Sequence, residues 1–349
     1  MPTFSEEKIQ DLQTIAEANL PFEALRDKRI LVTGAGGLIA SVFTEALLYL
    51  NTVYNLHLTV IALCRNAQKA QERFSAYKDD VALQFLEQDV CAPLPADFRA
   101  NYIVHAASPA HPLAYAKTPV ETMRANLVGT LGLLAHAKEN GCTRFLLVSS
   151  SEVYGENTTE GGMDEQFQGK LLNTMQPRAC YPESKRASET LCAAYMQEYG
   201  LVVTVVRPGY IYGAEITENN SRADAQFLRN AVLGENIVMK SRGEQKRSYC
   251  YVADAASAML FVLLCGQNGE AYNIANPNCQ ASIREFAEAL ANAASVTVTF
   301  ALPPETEARG YSKVNNSLLN AEKLLALGWK PKYNLQQGTA QAVKLARQK

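Results

Sequence analysis

The chain has 349 residues, 48% of them hydrophobic, and a formal net charge of −2. That length and apolar content suit one large domain, or one domain with a smaller lobe. The near-neutral balance argues against nucleic acid or an anionic membrane surface as partner, and apolar runs such as Ala258–Cys265 are too short to span a bilayer.

Residues 1–27 read as an N-terminal extension. Ser5, Glu6 and Glu7 make a helix start, and Ile9, Leu12, Ile15, Ala16 and Leu20 recur at helical spacing through 5–26. Such a helix either docks on the main domain or binds a partner. The start carries no basic, apolar leader pattern, so a cytoplasmic protein is expected. Apolar β-branched runs then alternate with helical stretches. Arg29–Thr33 leads through a Gly-rich turn into Leu38–Leu50. Leu58–Leu63 precedes a polar helix near Ala67–Tyr77. Val81–Leu86 and Tyr102–His105 follow, then a helix from Pro119 to Asn140, then Arg144–Val148 and Leu201–Arg207. This alternation predicts an α/β fold, a Rossmann-type doubly wound parallel sheet buried on both faces. The dinucleotide-binding domain is expected over 28–215. A smaller substrate-binding lobe, interleaved with the sheet, is expected over 216–349, where the alternation weakens.

Gly34-Ala-Gly-Gly-Leu-Ile-Ala40 joins the first strand to its helix. The glycines Gly34, Gly36 and Gly37 allow a tight turn and close approach of backbone to a pyrophosphate. The helix start at Leu38 and Ile39 offers unpaired N–H groups and a positive dipole end. The second strand ends in Leu63-Cys64-Arg65-Asn66, without the acidic residue that usually holds the adenosine ribose. Arg65 reads as a contact to a 2′-phosphate, favouring NADP, as a stack on adenine, or as a plain surface arginine. NAD and NADP both stay open.

Tyr181 and Lys185, four apart, share one helix face. A phenol titrates near pH 10, and a neighbouring ammonium favours its phenolate, so Tyr181 can act as a base, while Lys185 can hold a nicotinamide ribose. Alone, the pair also fits a solvated helix face. It is preceded by Ser149-Ser-Ser-Glu152 at the end of the fifth strand, on the side of the sheet where an open parallel sheet binds ligands. Ser149, Ser150 and Ser151 can hydrogen-bond a sugar hydroxyl and the phenol, and Glu152 adds a carboxylate. No Gly-x-Ser-x-Gly elbow frames these serines as a hydrolase would.

These motifs, with His105-Ala-Ala-Ser-Pro109, Arg207-Pro-Gly-Tyr-Ile-Tyr-Gly213 and Leu327-Gly-Trp329, make the chain, from about Lys28 to Gly338, resemble the extended short-chain dehydrogenase/reductase family of nucleotide-sugar epimerases, dehydratases and decarboxylases. Within that family Ser151-Glu-Val-Tyr-Gly155 and Pro177–Cys192 are most similar to the UDP-glucuronate decarboxylases (UDP-xylose synthases). The resemblance implies NAD, a nucleotide-sugar substrate, a role in polysaccharide biosynthesis and a homodimer through a bundle of helices that includes the Tyr/Lys helix. It implies cofactor contacts at Asp89, Val90, Ala106, Ala107, Ser108, Asn126, Ser149, Tyr181 and Pro208, and substrate contacts at Ser108, Glu152 and Arg247. The 4,6-dehydratases carry Asp-Glu where this chain has Ser151-Glu152. Without that acid, loss of water lacks its proton donor, and C4 oxidation followed by decarboxylation is implied. A 4-epimerase or dehydratase remains the alternative within enzymes, and a non-catalytic dinucleotide-binding regulator the alternative outside them. Tyr210 stands where the family usually has Asn, and the stretch 305–316 departs from the decarboxylases.

Eight scattered cysteines and four histidines form no C-x-x-C pair and no zinc pattern. His105 is expected to be a buried structural histidine and His111 a loop residue.

Overall fold

The computed structural model describes residues 4–157, 159–217, 220–301 and 316–348. Seven parallel strands form the central sheet in the order β10-β6-β5-β4-β1-β2-β3: β1 (Arg29–Thr33), β2 (Thr59–Cys64), β3 (Leu83–Glu87), β4 (Tyr102–His105), β5 (Arg144–Val148), β6 (Val203–Pro208) and β10 (Ala271–Ile274). This is the doubly wound arrangement, with its topological switch between β1 and β4. Val32 and Val104, in register on these two neighbours, are fully buried. β3 begins two residues later than the apolar run, because Asp80 accepts from the Ala82 N–H and turns the chain there.

The N-terminal segment is shorter as a helix than its spacing suggests. Helix α1 spans Glu6–Ala16 and is capped by Ser5, whose side chain accepts from the Lys8 N–H. Pro21 lacks an N–H, and a 3-10 turn, Phe22–Leu25, takes over, so Leu20 lies outside the helix. Leu12 and Ile15 are fully buried, so α1 docks on the body of the protein. Lys8 pairs with Glu45 and Glu215, and Asp11 accepts from the hydroxyls of Tyr251 and Tyr333.

α2 (Leu38–Tyr54) follows β1 directly and stops at Asn55, which adopts the left-handed conformation. α3 (Ala67–Arg73), α4 (Pro112–Lys117), α5 (Pro119–Glu139) and α6 (Cys180–Tyr199) complete the crossovers. Pro119 opens α5 at its first turn and Gly200, at φ +68°, closes α6. Beyond β6, a smaller sheet forms from β7 (Tyr210–Tyr212), β9 (Lys246–Tyr251), β11 (Gln280–Ser282) and β13 (Asn316–Ser317), and β8 (Ile237–Met239) pairs β12 (Val298–Phe300). α7 (Ala223–Val232), α8 (Val252–Cys265), α9 (Ile283–Ala294), α10 (Glu322–Ala326) and α11 (Leu335–Ala346) pack around these strands. α8 is buried along almost its whole length, and β10 lies beside β6, so the C-terminal part completes the large sheet. Most of the 305–316 stretch lies outside the described residues.

Candidate active site

The Gly-rich turn sits between β1 and α2. Gly34 has φ +66°, and a Cβ there would stand 2.7 Å from the Ala107 Cα, so only glycine fits between the ends of β1 and β4. At Gly36 a Cβ would meet nothing within 4 Å: its outer face is open. Gly37 caps α2 without a side-chain bond, which leaves first-turn N–H groups, at Leu38 and Ile39, directed at that space. Thr33 braces the floor. Its hydroxyl accepts from the Ala106 and Ala107 N–H groups at 3.2 and 3.1 Å and meets His105 Nδ1 at 2.8 Å. Burial, then the charge of Lys185, pulls His105 down to about 3, so it stays neutral and structural. His111 caps α4 through Nδ1.

The crevice fits a dinucleotide on a second ground. Ser108 Oγ, past β4, and Asn126 Oδ1, on α5, are buried without a partner among the described residues. The amide of Asn126 donates to Ser184 Oγ at 2.8 Å, which aims the side chain toward α6. Arg65 and Asp89 are both exposed at the β2 and β3 ends. The Cys91 N–H and, less strongly, Arg65 hold Asp89 below the usual carboxylate range. Val90 is buried against Gly129 of α5, and Pro208 is buried at the end of β6.

Tyr181 lies in the first turn of α6, 5% exposed, with its ring stacked on Tyr115 at 4.6 Å. Burial, then the charge of Glu152, pushes its phenol up to about 12, against hydrogen bonds from Ser150 and Tyr115 and the charge of Arg222. Lys185 lies one turn further along the same helix face. Its Nζ donates to the Val148 carbonyl at 2.7 Å and stands 5.9 Å from the Tyr181 ring centroid. Burial draws Lys185 itself down to about 8.

The three serines separate. Ser150 Oγ meets the phenol and also accepts from the Glu152 N–H at 3.2 Å. Ser149 turns away and donates to Glu189 at 2.5 Å. Ser151 opens the 3-10 turn Ser151–Tyr154, which lifts Glu152 to the site's rim. There Glu152 pairs with Arg178 at 2.8 Å, and Arg178 lies over the Tyr115 ring. Arg247, 6% exposed, lies over the Tyr210 ring, as does Arg222, each guanidinium carbon 5.1 Å from its centroid.

Four residues beside this site escaped the motif reading: Tyr115, Arg178, Arg222 and Glu189. Arg178 and Glu189 lie inside the Pro177–Cys192 block, where helical spacing could have flagged them. Tyr115 and Arg222 reach Tyr181 only through tertiary packing.

Among the described residues no cluster of His, Cys, Asp or Glu could hold a metal. No helix among them is long and apolar enough to cross a membrane.

The model of the NAD dependent epimerase/dehydratase family matches residues 30–275. UDP-glucuronic acid decarboxylase 1 of Xenopus tropicalis is 32% identical over 95% of this chain and 76% of its own length. A dTDP-glucose 4,6-dehydratase from Streptomyces venezuelae, solved with NAD bound, superposes with a TM-score of 0.77 at 25% identity, over 92% of this chain and 97% of that one. A UDP-glucose 4-epimerase from Thermotoga maritima, solved with UDP-glucose, shares the fold at a TM-score of 0.76 and 24% identity, over 92% and 99% of the two chains. A glycine-floored dinucleotide crevice, a buried Tyr/Lys helix face and a match over most of the chain lead to one conclusion: this protein belongs to the NAD-dependent epimerase/dehydratase family of nucleotide-sugar modifying enzymes.

Proposed function

We propose that the chain decarboxylates a UDP-glucuronate-like nucleotide sugar after oxidising it at C4, with NAD as cofactor. The observation that carries this reading is Ser151-Glu152 beside the buried Tyr181: a carboxylate stands at the rim, and a hydroxyl stands where dehydratases carry an acid. The similarity to UDP-glucuronic acid decarboxylases supports it.

A nicotinamide bound in the crevice would take hydride from the sugar C4 and return it. Tyr181 removes the C4 hydroxyl proton, and Ser150 shares the hydrogen bond that holds the phenolate. Lys185, anchored on Val148, holds ribose hydroxyls. The resulting 4-keto sugar carries its C6 carboxylate β to the ketone. The C5–C6 bond breaks, CO₂ leaves, and the electron pair is spread over C5 and the C4 oxygen until a proton reaches C5. Arg178 orients Glu152, which with Ser151 would assist around C5 and C6. Arg222 and Arg247, braced on Tyr210, face the substrate's negative charge, and Ser108 lines the sugar. Arg65 is left on the adenosine side, where NADP would place its phosphate.

The test is incubation with UDP-glucuronate and NAD. CO₂ and a UDP-pentose are expected; intact substrate would remove this assignment. A second reading, 4-epimerisation, is favoured by the engagement of Glu152 with Arg178, since an epimerase needs no carboxylate here. It predicts unchanged mass with altered retention, whereas a dehydratase loses water. A non-catalytic regulator would bind NAD and turn over no sugar in a panel of UDP-, dTDP-, CDP- and GDP-sugars.

In this reading residues 216–349 form a smaller substrate-binding lobe interleaved with the Rossmann domain of 28–215. All eight cysteines are free thiols, which supports a reducing, cytoplasmic setting. Val120, Met123, Val128 and Leu131 are exposed on α5, which packs against the Tyr/Lys helix α6, and this supports a homodimer through a bundle of helices that includes α6.

A further inference from the structure

The helix face bearing Tyr181 and Lys185 continues one turn further to Glu189, a residue with no part in the proposed chemistry. Both its carboxylate oxygens are engaged. Oε1 accepts from Ser149 Oγ at 2.5 Å and from Arg207 Nε at 3.1 Å, and Oε2 accepts from Arg207 Nη2 at 2.6 Å. The Arg207 and Glu189 side chains are each 15% exposed, so this is a two-pronged, mostly buried ion pair. Arg207 lies on β6, and its Nη1 donates to the Tyr154 hydroxyl and the Glu165 carbonyl. Ser149 directly precedes Ser150, which meets the phenol. One carboxylate thus joins the Tyr/Lys helix, the end of β5 and the end of β6.

Among the described residues, Lys185 is faced from three elements. β4 contributes neutral His105, β5 the Val148 carbonyl, and α6 the Tyr181 ring and Glu189. Glu189 is faced in turn by Lys185 and Cys192 on its own helix, by Arg207 from β6, and by Tyr154 from the segment after β5, with Glu165 beyond Arg207. Burial opposes the charge on Lys185, and Glu189, one turn on along the same helix face, favours it.

We propose that Glu189, clamped by Arg207, is a positioning residue: it is the counter-charge that keeps Lys185 an ammonium, and it pins Ser149-Ser150 against the Tyr181 helix. This rests on Lys185 being the group that holds the cofactor. The competing account makes the ion pair a plain brace of the fold.

The test uses the full chain stripped of bound nucleotide, with NAD affinity measured calorimetrically between about pH 6 and pH 9. Glu189→Gln removes the charge and keeps an acceptor for Ser149. The alkaline loss of NAD affinity is expected to move down by about one pH unit, with the rate on UDP-glucuronate following it. Because that variant strands the Arg207 charge, Glu189→Gln/Arg207→Met is carried beside it. A cavity of about 370 Å³ borders the pair and gives the altered side chains room. The proposal expects the double variant to regain its melting temperature while the alkaline limb stays displaced. Recovery of the wild-type limb in the double variant, or a folded Glu189→Gln with an unmoved limb, overturns it. Lys185→Met separates the premise: if NAD affinity and its pH dependence survive that change, the cofactor role of Lys185 fails and the proposal falls with it. The calorimetric arm needs no sugar turnover, so a wrong substrate assignment leaves it readable.

Discussion

Tyr181 carries two opposed demands. It must be buried to exclude water from the reaction, and burial beside Glu152 makes its proton harder to remove. With the phenol near 12 and Lys185 near 8, the sign of the pH dependence follows. The base form of Tyr181 grows as pH rises, so the rate of C4 oxidation should climb from about pH 6 until Lys185 loses its proton near 8. A cationic nicotinamide would lower the phenol and move that rise toward acid, without changing its sign. The kcat profile checks this, and a fall across that interval contradicts it. Tyr181→Phe should cost about 10²-fold or more in turnover while leaving NAD affinity within about twofold, since Ser150 and Lys185 keep their places. At this scale the Tyr/Lys pair and Glu152 were legible as motifs. Tyr115 and Arg222 were not, because no spacing in the chain relates them to Tyr181.

Elements place these residues through a few backbone devices. The β1–α2 turn is the clearest, and its two glycines should separate experimentally. Gly34→Ala forces a methyl onto the Ala107 backbone at a positive φ, so the protein should lose stability by more than about 1 kcal/mol and its cofactor with it. Gly36→Ala meets no protein atom within 4 Å. It should melt like the parent yet bind NAD at least about tenfold more weakly, because the methyl enters space a pyrophosphate would fill. Thermal melts and NAD titration of both variants check the pair. α1 works by a different device. Its buried Lys8 bridges Glu45 on α2 and Glu215 just past β7, while Asp11 gathers Tyr251, Tyr333 and Gln341. The extension is thereby built into the junction between the sheet and the C-terminal part. Burial pushes Asp11 up to about 6, against the hydrogen bonds it accepts from the tyrosines.

At the scale of the whole molecule, the large sheet recruits β10 from the C-terminal part, so the two parts share one core. In the single chain Val128 and Leu131 of α5 face outward at 45% and 46% exposure, and the proposed dimer would cover them. If α5 meets its counterpart in a second chain, Val128→Glu/Leu131→Glu should convert the dimer to a monomer of unchanged secondary structure. Size-exclusion chromatography with light scattering reads the outcome, and a monomeric parent protein would remove the dimer.

The sequence by itself determined the doubly wound sheet, the glycine turn, the Tyr/Lys face and the family, because each depends on short-range pattern: apolar runs that make buried strands, a turn only glycine can adopt, a four-residue helical repeat. Tertiary structure decided what those residues experience. Lys185 bonds a backbone carbonyl, Ser149 turns to Glu189 while Ser150 turns to Tyr181, and Arg222 arrives from a distant segment. Burial and charge at a point in space sum over groups far apart in the chain, so no local pattern reveals them. That is why the catalytic pair was readable from its spacing while its protonation, and the role proposed for Glu189, were not.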